Sequence, residues 1–311
     1  MTPPLGLRGV EELLHDELLD SLPTDYDRDA LMQAEHVTYI IHQVVSYEYT
    51  KPVKDLRQRL MILPRRLHGD QQRVLHRFDV RTREDAQVRT HTDRFGNSIL
   101  DAIVPSVQRH IEFQTRAVIT RSPRQPHRPA WKGGRPIMTR LTRPDDSIRD
   151  AAAELGPTGD VFETADSISD FVRRSFEYCH DVTSVRTTAA EAWQLRRGVC
   201  QDMAHVMIAM CSSLGIVSRY VSGHLVGDGA SHAWVEVFDP NRQTVVAIDP
   251  THQRRTDLRY ITTATGRDYR DVAPTSGTYS ADGGRGRLKA RKTIRVAALG
   301  RAPLSSQPES A

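Results

Sequence analysis

The sequence predicts an α+β fold in which helices pack on an antiparallel sheet, preceded by a smaller antiparallel β domain. Between residues 35 and 121, apolar and polar residues alternate in short runs separated by turn residues, which indicates strands. Residues 145–214 carry apolar residues at three- and four-residue spacing, the pattern of amphipathic helices. Strand-like runs return between residues 217 and 249, so the second half has helices first and antiparallel strands after them.

A β-rich N-terminal domain is predicted over residues 35–121, after an N-terminal extension at 1–34 whose segment ELLHDELLDSL could form one amphipathic helix. HVTYIIHQVVSYEYT, which begins at His36, alternates with the period of two that a half-buried strand requires. Gly96-Asn97 suits a turn between two of the later strands. These later strand-like runs are RQRLMIL, RVLHRFDVRT, NSILDAIV and HIEFQTRAVIT.

The rest of the chain divides into three parts. Residues 122–147 include SPRQPHRPAWKGGRP, whose Pro, Gly and Arg content is typical of a linker or a long ordered loop. The helices and strands that follow define a core domain over residues 148–274. Residues 275–311, which include the basic stretch RGRLKARKTIR, remain as a C-terminal strand and tail.

Charge and cysteine content narrow the classes of function. The net charge is +4, but Arg residues are spread among nearly as many acidic residues, so no clustered patch indicates nucleic-acid binding. Three cysteines are too few for a disulfide framework, and their odd number favours a reducing compartment. The acidic N-terminus has no apolar signal-peptide region, and no apolar run is long enough to cross a bilayer. We therefore expect a cytoplasmic protein with no membrane partner.

Cys200 lies where a loop turns into a helix. The residues before it, RRG, suit a loop, whereas apolar residues recur at helical spacing from Val206 to Leu214 and Gly215 ends the pattern. Cys200 therefore falls in or next to the first helical turn, where partial positive charge and free N–H groups favour a thiolate. A lone cysteine is more often a buried apolar residue, the role predicted for Cys211, so Cys200 needs partners.

The partners are predicted by the hairpin SHAWVEVFDPNRQTVVAIDPTH. If it turns about Pro240-Asn241, His232 faces Asp249, and a longer loop would still leave Asp249 a near neighbour. A carboxylate in that position holds an imidazole in one tautomer and stabilises its charged form. Cys200, His232 and Asp249 would supply the nucleophile, the base and the orienting group of thiol chemistry. A His–Asp surface pair without a catalytic role is the alternative.

Three ordered blocks resemble the core of the transglutaminase-like superfamily, which has a Cys in G-x-C at a helix start, a His in H-A-W and an Asp in D-P-T. The blocks are GVCQDMAHVMIAMCSSLGIVSRYVSGHL, SHAWVEV and IDPTH, and the resemblance spans about Ala189 to Asp271. YEYTKPV, RLMILPRR and TDRFGNSI are similar to the β-rich N-terminal domain of bacterial members. GRDYRDVAPTSG, at 266–277, resembles the segment that follows the core there.

The resemblance implies a papain-like core fold with Cys200 as nucleophile, His232 as general base and acid, and Asp249 as orienting carboxylate. We expect no cofactor or metal. It implies cysteine-dependent acyl transfer through a thioester. The substrate would be a protein or peptide with a Gln-type carboxamide or an amide bond, with an amine as co-substrate. A peptidase or amidase that uses water instead of the amine is the first alternative. A non-catalytic binding or scaffold module is the second.

Neighbouring residues have predicted roles that are mostly structural. The backbone N–H of Cys200 is the natural first donor to an oxyanion, and Trp193 or Gln201 could supply a second. Asp202 is predicted to cap free N–H groups in the first helical turn. Because side chains alternate along a strand, Trp234 is predicted to lie on the same side of the strand as His232. A metal site is the chemical rival, but the sequence has no C-x-x-C and no H-E-x-x-H. The ligands that such a site could draw on are His205, His224, His232, His252, Cys200 and Asp249.

Overall fold

A computed structural model describes residues 26–122, 134–227 and 230–300, together with Leu14 and Leu22. Apart from Leu14 and Leu22, the helix predicted in ELLHDELLDSL lies outside these residues, and so does most of the predicted SPRQPHRPAWKGGRP linker. The described chain begins with a short helix, α1 (Arg28–Met32), which Asp27 caps with its side chain. Among the described helices, none has both the length and the apolar character that a membrane crossing requires.

The N-terminal domain consists of two antiparallel sheets that share one apolar core. Alternation in β1 places Tyr39 and Ile41 in that core, and Leu56 and Leu100 reach it from the other sheet. The strands that the front half contributes are β1 (His36–Tyr49), β2 (Val53–Leu60), β3 (Leu67–His68), β4 (Gln71–Arg81), β5 (Gln87–Thr92), β6 (Ser98–Val107) and β7 (His110–Arg121).

The core domain places helices against a five-stranded antiparallel sheet, as the α+β prediction requires. The strand order in this sheet is β13-β12-β11-β10-β14. The elements are α2 (Asp146–Leu155), α3 (Val161–Ser175), β8 (Glu177–Tyr178), α4 (Ala189–Leu195), β9 (Arg197–Gly198), α5 (Cys200–Ser213), β10 (Val217–Leu225), β11 (Ser231–Asp239), β12 (Thr244–Asp249), β13 (Arg254–Arg255), β14 (Tyr260–Gly266) and a 3₁₀ turn (Tyr269–Asp271).

The helix α5 is buried on all sides and does not have the exposed polar face of an amphipathic helix. Its spacing predicts one apolar face, yet every residue from Gln201 to Ser212 is buried. Helices α2, α3 and α4 contact it on some sides, and β10 and β11 contact it on another. A helix that is apolar nearly all round belongs in such a position. The start of α5 is therefore fixed by packing on several sides.

The segment predicted as a C-terminal strand and tail contributes two strands to the sheets of the N-terminal domain. Strand β15 (Thr275–Ser280) pairs with β2, and β16 (Gly286–Gly300) pairs with β1 along its length. Residues 301–311 lie outside the described chain. The N-terminal domain is thus built from the two ends of the described chain, and the core domain lies between them in sequence.

The edge strand β14 is bound by side chains from the N-terminal domain. The amide of Gln71 donates to the carbonyl of Thr262 and accepts its N–H, both at 2.8 Å. The amide of Asn97 makes the same pair of bonds with Thr265, also at 2.8 Å. Because side-chain amides occupy the backbone groups that a further strand would use, this edge of the core sheet is covered.

Candidate active site

Cys200 is the first residue of α5 and its side chain is half-buried. Asp202 accepts the backbone N–H of Val199 at 2.8 Å and the hydroxyl of Thr183 at 2.7 Å, so the predicted capping role of Asp202 is confirmed. A Cβ at position 198 would lie 2.5 Å from Oδ2 of Asp202, which explains why glycine precedes the helix. Together these contacts fix the turn that presents the thiol at a helix N-terminus.

His232 and Asp249 form a buried hydrogen-bonded pair. Nε2 of His232 lies 2.7 Å from Oδ2 of Asp249, and the Asp249 side chain has no exposed surface. Cys200 lies close enough to His232 to raise the pKa of its imidazole as well. Because Nε2 faces Asp249, the nitrogen left for Cys200 is Nδ1. The structure therefore brings the three predicted site residues together.

The predicted register of the hairpin is wrong by two residues. Val235 pairs with Ile248 and not with Val246, because the turn between the strands has four residues instead of two. Asp239 stabilises this longer turn by accepting the N–H of Asn241 at 2.8 Å. A shift of two keeps every side chain on its original face of the sheet. His232 and Asp249 are thus diagonal neighbours on one face and still meet.

Asp249 is held by more donors than sequence reasoning anticipates. Its Oδ1 accepts the backbone N–H groups of Thr251 at 2.9 Å and His252 at 3.3 Å. Its Oδ2, besides bonding to His232, lies 2.8 Å from Nδ1 of His252 and accepts the hydroxyl of Tyr260 at 2.7 Å. His252 could have been found from its spacing, because it follows Asp249 by one turn. Nothing in the sequence around Tyr260 signals its contact with a residue of another strand.

The charges in the site reinforce one another. Burial by itself lowers the pKa of His232, but hydrogen bonds and Coulomb attraction to Asp249 and Cys200 outweigh burial and raise it to about 10. Burial by itself raises the pKa of Asp249, but bonds from His232 and His252 hold it below its ordinary value. The pair is therefore an imidazolium and a carboxylate at neutral pH.

Aromatic rings enclose the pair. The centroid of the His232 ring lies 6.2 Å from that of Trp234 and 6.1 Å from that of Tyr260. Trp234 and Tyr260 pack edge to face at 5.3 Å, and both are buried. Trp234 thus lies on the side of His232, as its position in the strand predicts. These rings exclude water from the hydrogen bond between His232 and Asp249 and so strengthen it.

Several other predicted candidates lie away from the triad or have structural roles. Trp193 packs in the apolar core, with its ring 5.8 Å from that of Phe171. His205 is fully buried, where burial lowers its pKa to about 3, and it accepts the N–H of Tyr269. Nε2 of His224 lies 3.1 Å from Oγ1 of Thr263 and 3.1 Å from Nε2 of Gln43, a residue of the N-terminal domain. The six residues considered as metal ligands therefore do not form one cluster.

Three of those residues do come close enough to bind a metal ion. Among the described residues, the ligand atoms of His232, Asp249 and His252 all lie within 4.8 Å of one another. Both imidazole nitrogens, however, are at hydrogen-bond distance from the same carboxylate oxygen. That geometry fits a hydrogen-bonded triad, because metal ligands at about 2.0–2.2 Å from a zinc ion would stand further apart.

Comparison with known proteins identifies the family. Residues 149–250 match the family model described as the transglutaminase-like superfamily, and residues 39–120 match the bacterial transglutaminase-like N-terminal region. Together the two matches cover more than half of the chain, and Cys200, His232 and Asp249 all lie in the first. The fold and the family support a cysteine-based catalytic function. The chain belongs to the transglutaminase-like superfamily and carries the N-terminal domain of its bacterial members.

Relatives with similar sequences occur in mycobacteria. An uncharacterized protein of Mycobacterium leprae is 33% identical over 195 residues, which cover 59% of this chain and 65% of that protein. The match therefore spans slightly less than two thirds of that relative. An uncharacterized protein of Mycobacterium tuberculosis is 29% identical over 274 residues, which cover 77% of this chain and 86% of that protein.

A solved structure from Cytophaga hutchinsonii has a similar fold. It is provisionally named a cysteine protease and superposes with a TM-score of 0.63 at 20% identity. The match covers 84% of this chain and 98% of that one. Both domains of the present protein are therefore included in a fold that is already known.

Proposed function

We propose that the protein is a cysteine-dependent acyl-transfer enzyme that acts on a carboxamide or peptide bond through a thioester on Cys200. The observation that carries the proposal is the buried His232, which lies between Asp249 and Cys200 and has its pKa raised by both. A charged imidazole beside a half-buried thiol is the acid–base partner that such thiol chemistry needs. The papain-like character of the core, implied by the family resemblance, supports the same reaction.

The first half of the proposed reaction forms the thioester. The Cys200 sulfur attacks the carbonyl carbon, and the first-turn N–H groups of α5 stabilise the oxyanion that develops. As the carbon–nitrogen bond breaks, Nδ1–H of His232 gives its proton to the departing ammonia or amine. Asp249 keeps Nε2 occupied throughout, so the ring cannot rotate away from the sulfur.

The second half depends on what attacks the thioester. A primary amine gives a new amide bond, and water gives a carboxylic acid; in both cases the neutral His232 takes the proton of the attacking group. We propose an amine acceptor and a protein or peptide donor with a Gln-type carboxamide. The provisional protease name of the Cytophaga hutchinsonii protein makes hydrolysis the competing outcome.

The test uses a Gln-containing peptide and a fluorescent primary amine, with products separated by mass. We expect wild type to give the amine adduct, Cys200→Ala to give no product, and Cys179→Ala to match wild type, because Cys179 is half-buried outside the triad. Conversion of Gln to Glu in the peptide, or cleavage of its backbone, would establish water as the acceptor. If wild type forms no product and no acyl adduct on Cys200, the protein is a binding or scaffold module.

A further inference from the structure

The hydroxyl of Tyr260 links an arginine to the triad carboxylate. It donates to Oδ2 of Asp249 at 2.7 Å and accepts from Nε of Arg254 at 2.8 Å. An arginine has only donors, so the direction of both hydrogen bonds is fixed and the phenol proton must lie toward Asp249. Burial raises the pKa of Tyr260, and the charge of Asp249 raises it further, so the hydroxyl keeps its proton.

The oxygen that Tyr260 contacts is also the one that orients His232. Oδ2 of Asp249 is bound by His232, His252 and Tyr260, whereas Oδ1 is bound only by backbone N–H groups among the described contacts. Tyr260 therefore fixes the position of that oxygen and shares its negative charge. The ionisable groups that face His232 are Asp249, Cys200, His252 and Tyr260, and Arg254 lies behind Tyr260.

Arg121, in the N-terminal domain, holds the backbone on which Tyr260 stands. One guanidinium nitrogen, Nη1, donates to the carbonyl oxygens of Asp257, at 2.7 Å, and Tyr260. Asp70, in the same domain, holds the other two nitrogens at 2.6 and 3.0 Å. The Arg121 side chain is only 13% exposed. This fork is rigid because two carbonyls and a carboxylate use all three of its nitrogens.

Two further contacts from the N-terminal domain lie on either side of Tyr260. The buried hydroxyl of Tyr39 donates to the carbonyl of Leu258 at 2.7 Å. The buried amide of Gln71 makes its paired bonds with Thr262. The segment 257–262 is thus held before, at and after Tyr260 by strands of the N-terminal domain.

We propose that Tyr260 is a positioning residue of the triad and that the N-terminal domain, through Arg121, Tyr39 and Gln71, holds it against Asp249. This inference rests on the proposed function, since it assigns the N-terminal domain a part in the same active site. The domain would act on the reaction without touching the substrate. Two contacts hold Oδ2 of Asp249 in place: Tyr260 with Asp249, and Arg121 with the backbone of Tyr260. Loss of either contact should leave that oxygen, and therefore the ring of His232, less firmly positioned.

The experiment compares full-length wild type, Tyr260→Phe, Arg121→Ala and the double variant. The first readout is the midpoint of His232 titration by NMR, with the signal assigned through His232→Gln. The second is the pH dependence of Cys200 alkylation by iodoacetamide. Tyr47→Phe is the matched control, because it removes another partly buried hydroxyl, one that accepts from Gln58 at 3.0 Å within the N-terminal domain.

We expect Tyr260→Phe to move the His232 midpoint upward, because Oδ2 of Asp249 loses a donor that shared its charge. Turnover should fall about tenfold to hundredfold through kcat, with KM unchanged, which is the effect of losing one hydrogen bond to a charged group. Arg121→Ala should change both readouts in the same direction, and the double variant should add nothing to the larger single effect. Tyr47→Phe should behave as wild type.

A His232 midpoint and an alkylation profile that do not change in Tyr260→Phe would overturn the inference, and so would additive effects of the two substitutions. If Arg121→Ala does not fold, Arg121→Lys and Gln71→Ala replace it as variants that weaken the contact between the N-terminal domain and the Tyr260 segment. Failure of the proposed function is distinguishable: wild-type Cys200 would then be no more reactive than in His232→Gln, while the His232 midpoint could still respond to Tyr260.

Discussion

Nε2 of His68, in the N-terminal domain, lies 2.6 Å from Oε1 of Glu236, in the core sheet. The other oxygen of Glu236 bonds to Arg219 at 2.7 Å. Burial by itself raises the pKa of Glu236, but Arg219 and His68 outweigh burial and hold the pKa well below its ordinary value. A buried carboxylate of the core sheet is therefore hydrogen-bonded to a residue of the other domain.

Glu236→Gln should destabilise the whole protein. Removing one partner of a buried charge pair typically costs about 3–5 kcal/mol, because the remaining charge stays desolvated. The free energy of unfolding in denaturant measures the effect. The control is Asp101→Asn, which removes a more exposed pair with Arg59 and should cost no more than about 1 kcal/mol. Equal losses in the two variants would show that the buried cluster does not stabilise the domain contact.

Cys200→Ala should abolish formation of an acyl adduct and leave the fold intact. The side chain is half-buried at the start of α5, so its removal leaves only a small space. Intact-mass analysis after incubation with substrate detects the adduct, and thermal unfolding checks the fold. Unchanged turnover in this variant would contradict the role of the thiol.

Asp249→Asn should slow the reaction about 10⁴-fold, the effect seen when a triad aspartate is neutralised. The amide fits the same space but no longer stabilises the imidazolium of His232. Turnover under saturating substrate measures the loss, and circular dichroism shows whether the sheet survives. A loss below about tenfold would mean that Asp249 only fills space.

The stability of the protein should fall as pH rises from about 6.5 to about 10. The pKa of His232 is raised in the folded state to about 10, and an unfolded histidine has a pKa of about 6.5. The stabilisation that comes from protonated His232 is therefore fully present below pH about 6.5 and is lost as the pH approaches about 10. It should amount to a few kcal/mol.

Denaturant unfolding of wild type and His232→Gln across this pH range isolates that contribution. The difference between the two should shrink toward alkaline pH. His110→Gln, at an exposed position at the start of β7, should follow wild type. A difference that is constant with pH would show that His232 does not titrate with folding.

Gly198→Ala should impair both stability and the reactivity of Cys200. The added Cβ would lie 2.5 Å from Oδ2 of Asp202 and 2.9 Å from its Cβ and Cγ, so the first turn of α5 must shift. Overpacking of this kind costs about 1–3 kcal/mol. At Gly284 the nearest atom would be 3.3 Å away, and Gly284→Ala is the control. Alkylation of Cys200 that is as fast in Gly198→Ala as in wild type would contradict the role of this turn.

Local patterns predicted that His232 and Asp249 would be neighbours, but not the register that brings them together. Cys200 could be placed at a helix start because its loop and helix signals are adjacent in the chain. The sequence predicts a hairpin turn of two residues, whereas Asp239 stabilises a turn of four. The diagonal contact of His232 with Asp249 survived the error because side chains in a strand alternate with a period of two.

Contacts between distant segments could not be predicted in this way. The basic half of strand β16 shows no clear alternation of apolar and polar residues. In the sequence, the whole core domain lies between β16 and its partner β1. Tyr260 meets Asp249 because Arg121 and Gln71, from another domain, fix its backbone. Such contacts depend on tertiary packing, which overrides local propensity.

The pairing of β1 with β16 has a consequence for biosynthesis. The ribosome releases β1 early, and the core domain must be translated before β16 can emerge. One edge of β1 therefore stays open in the nascent chain, and an open edge can recruit strands of neighbouring chains. The Lys and Arg residues of β16 are translated after the core domain, so they cannot protect the open edge of β1 before then. That edge of β1 is closed only when β16 has been translated and has paired with it.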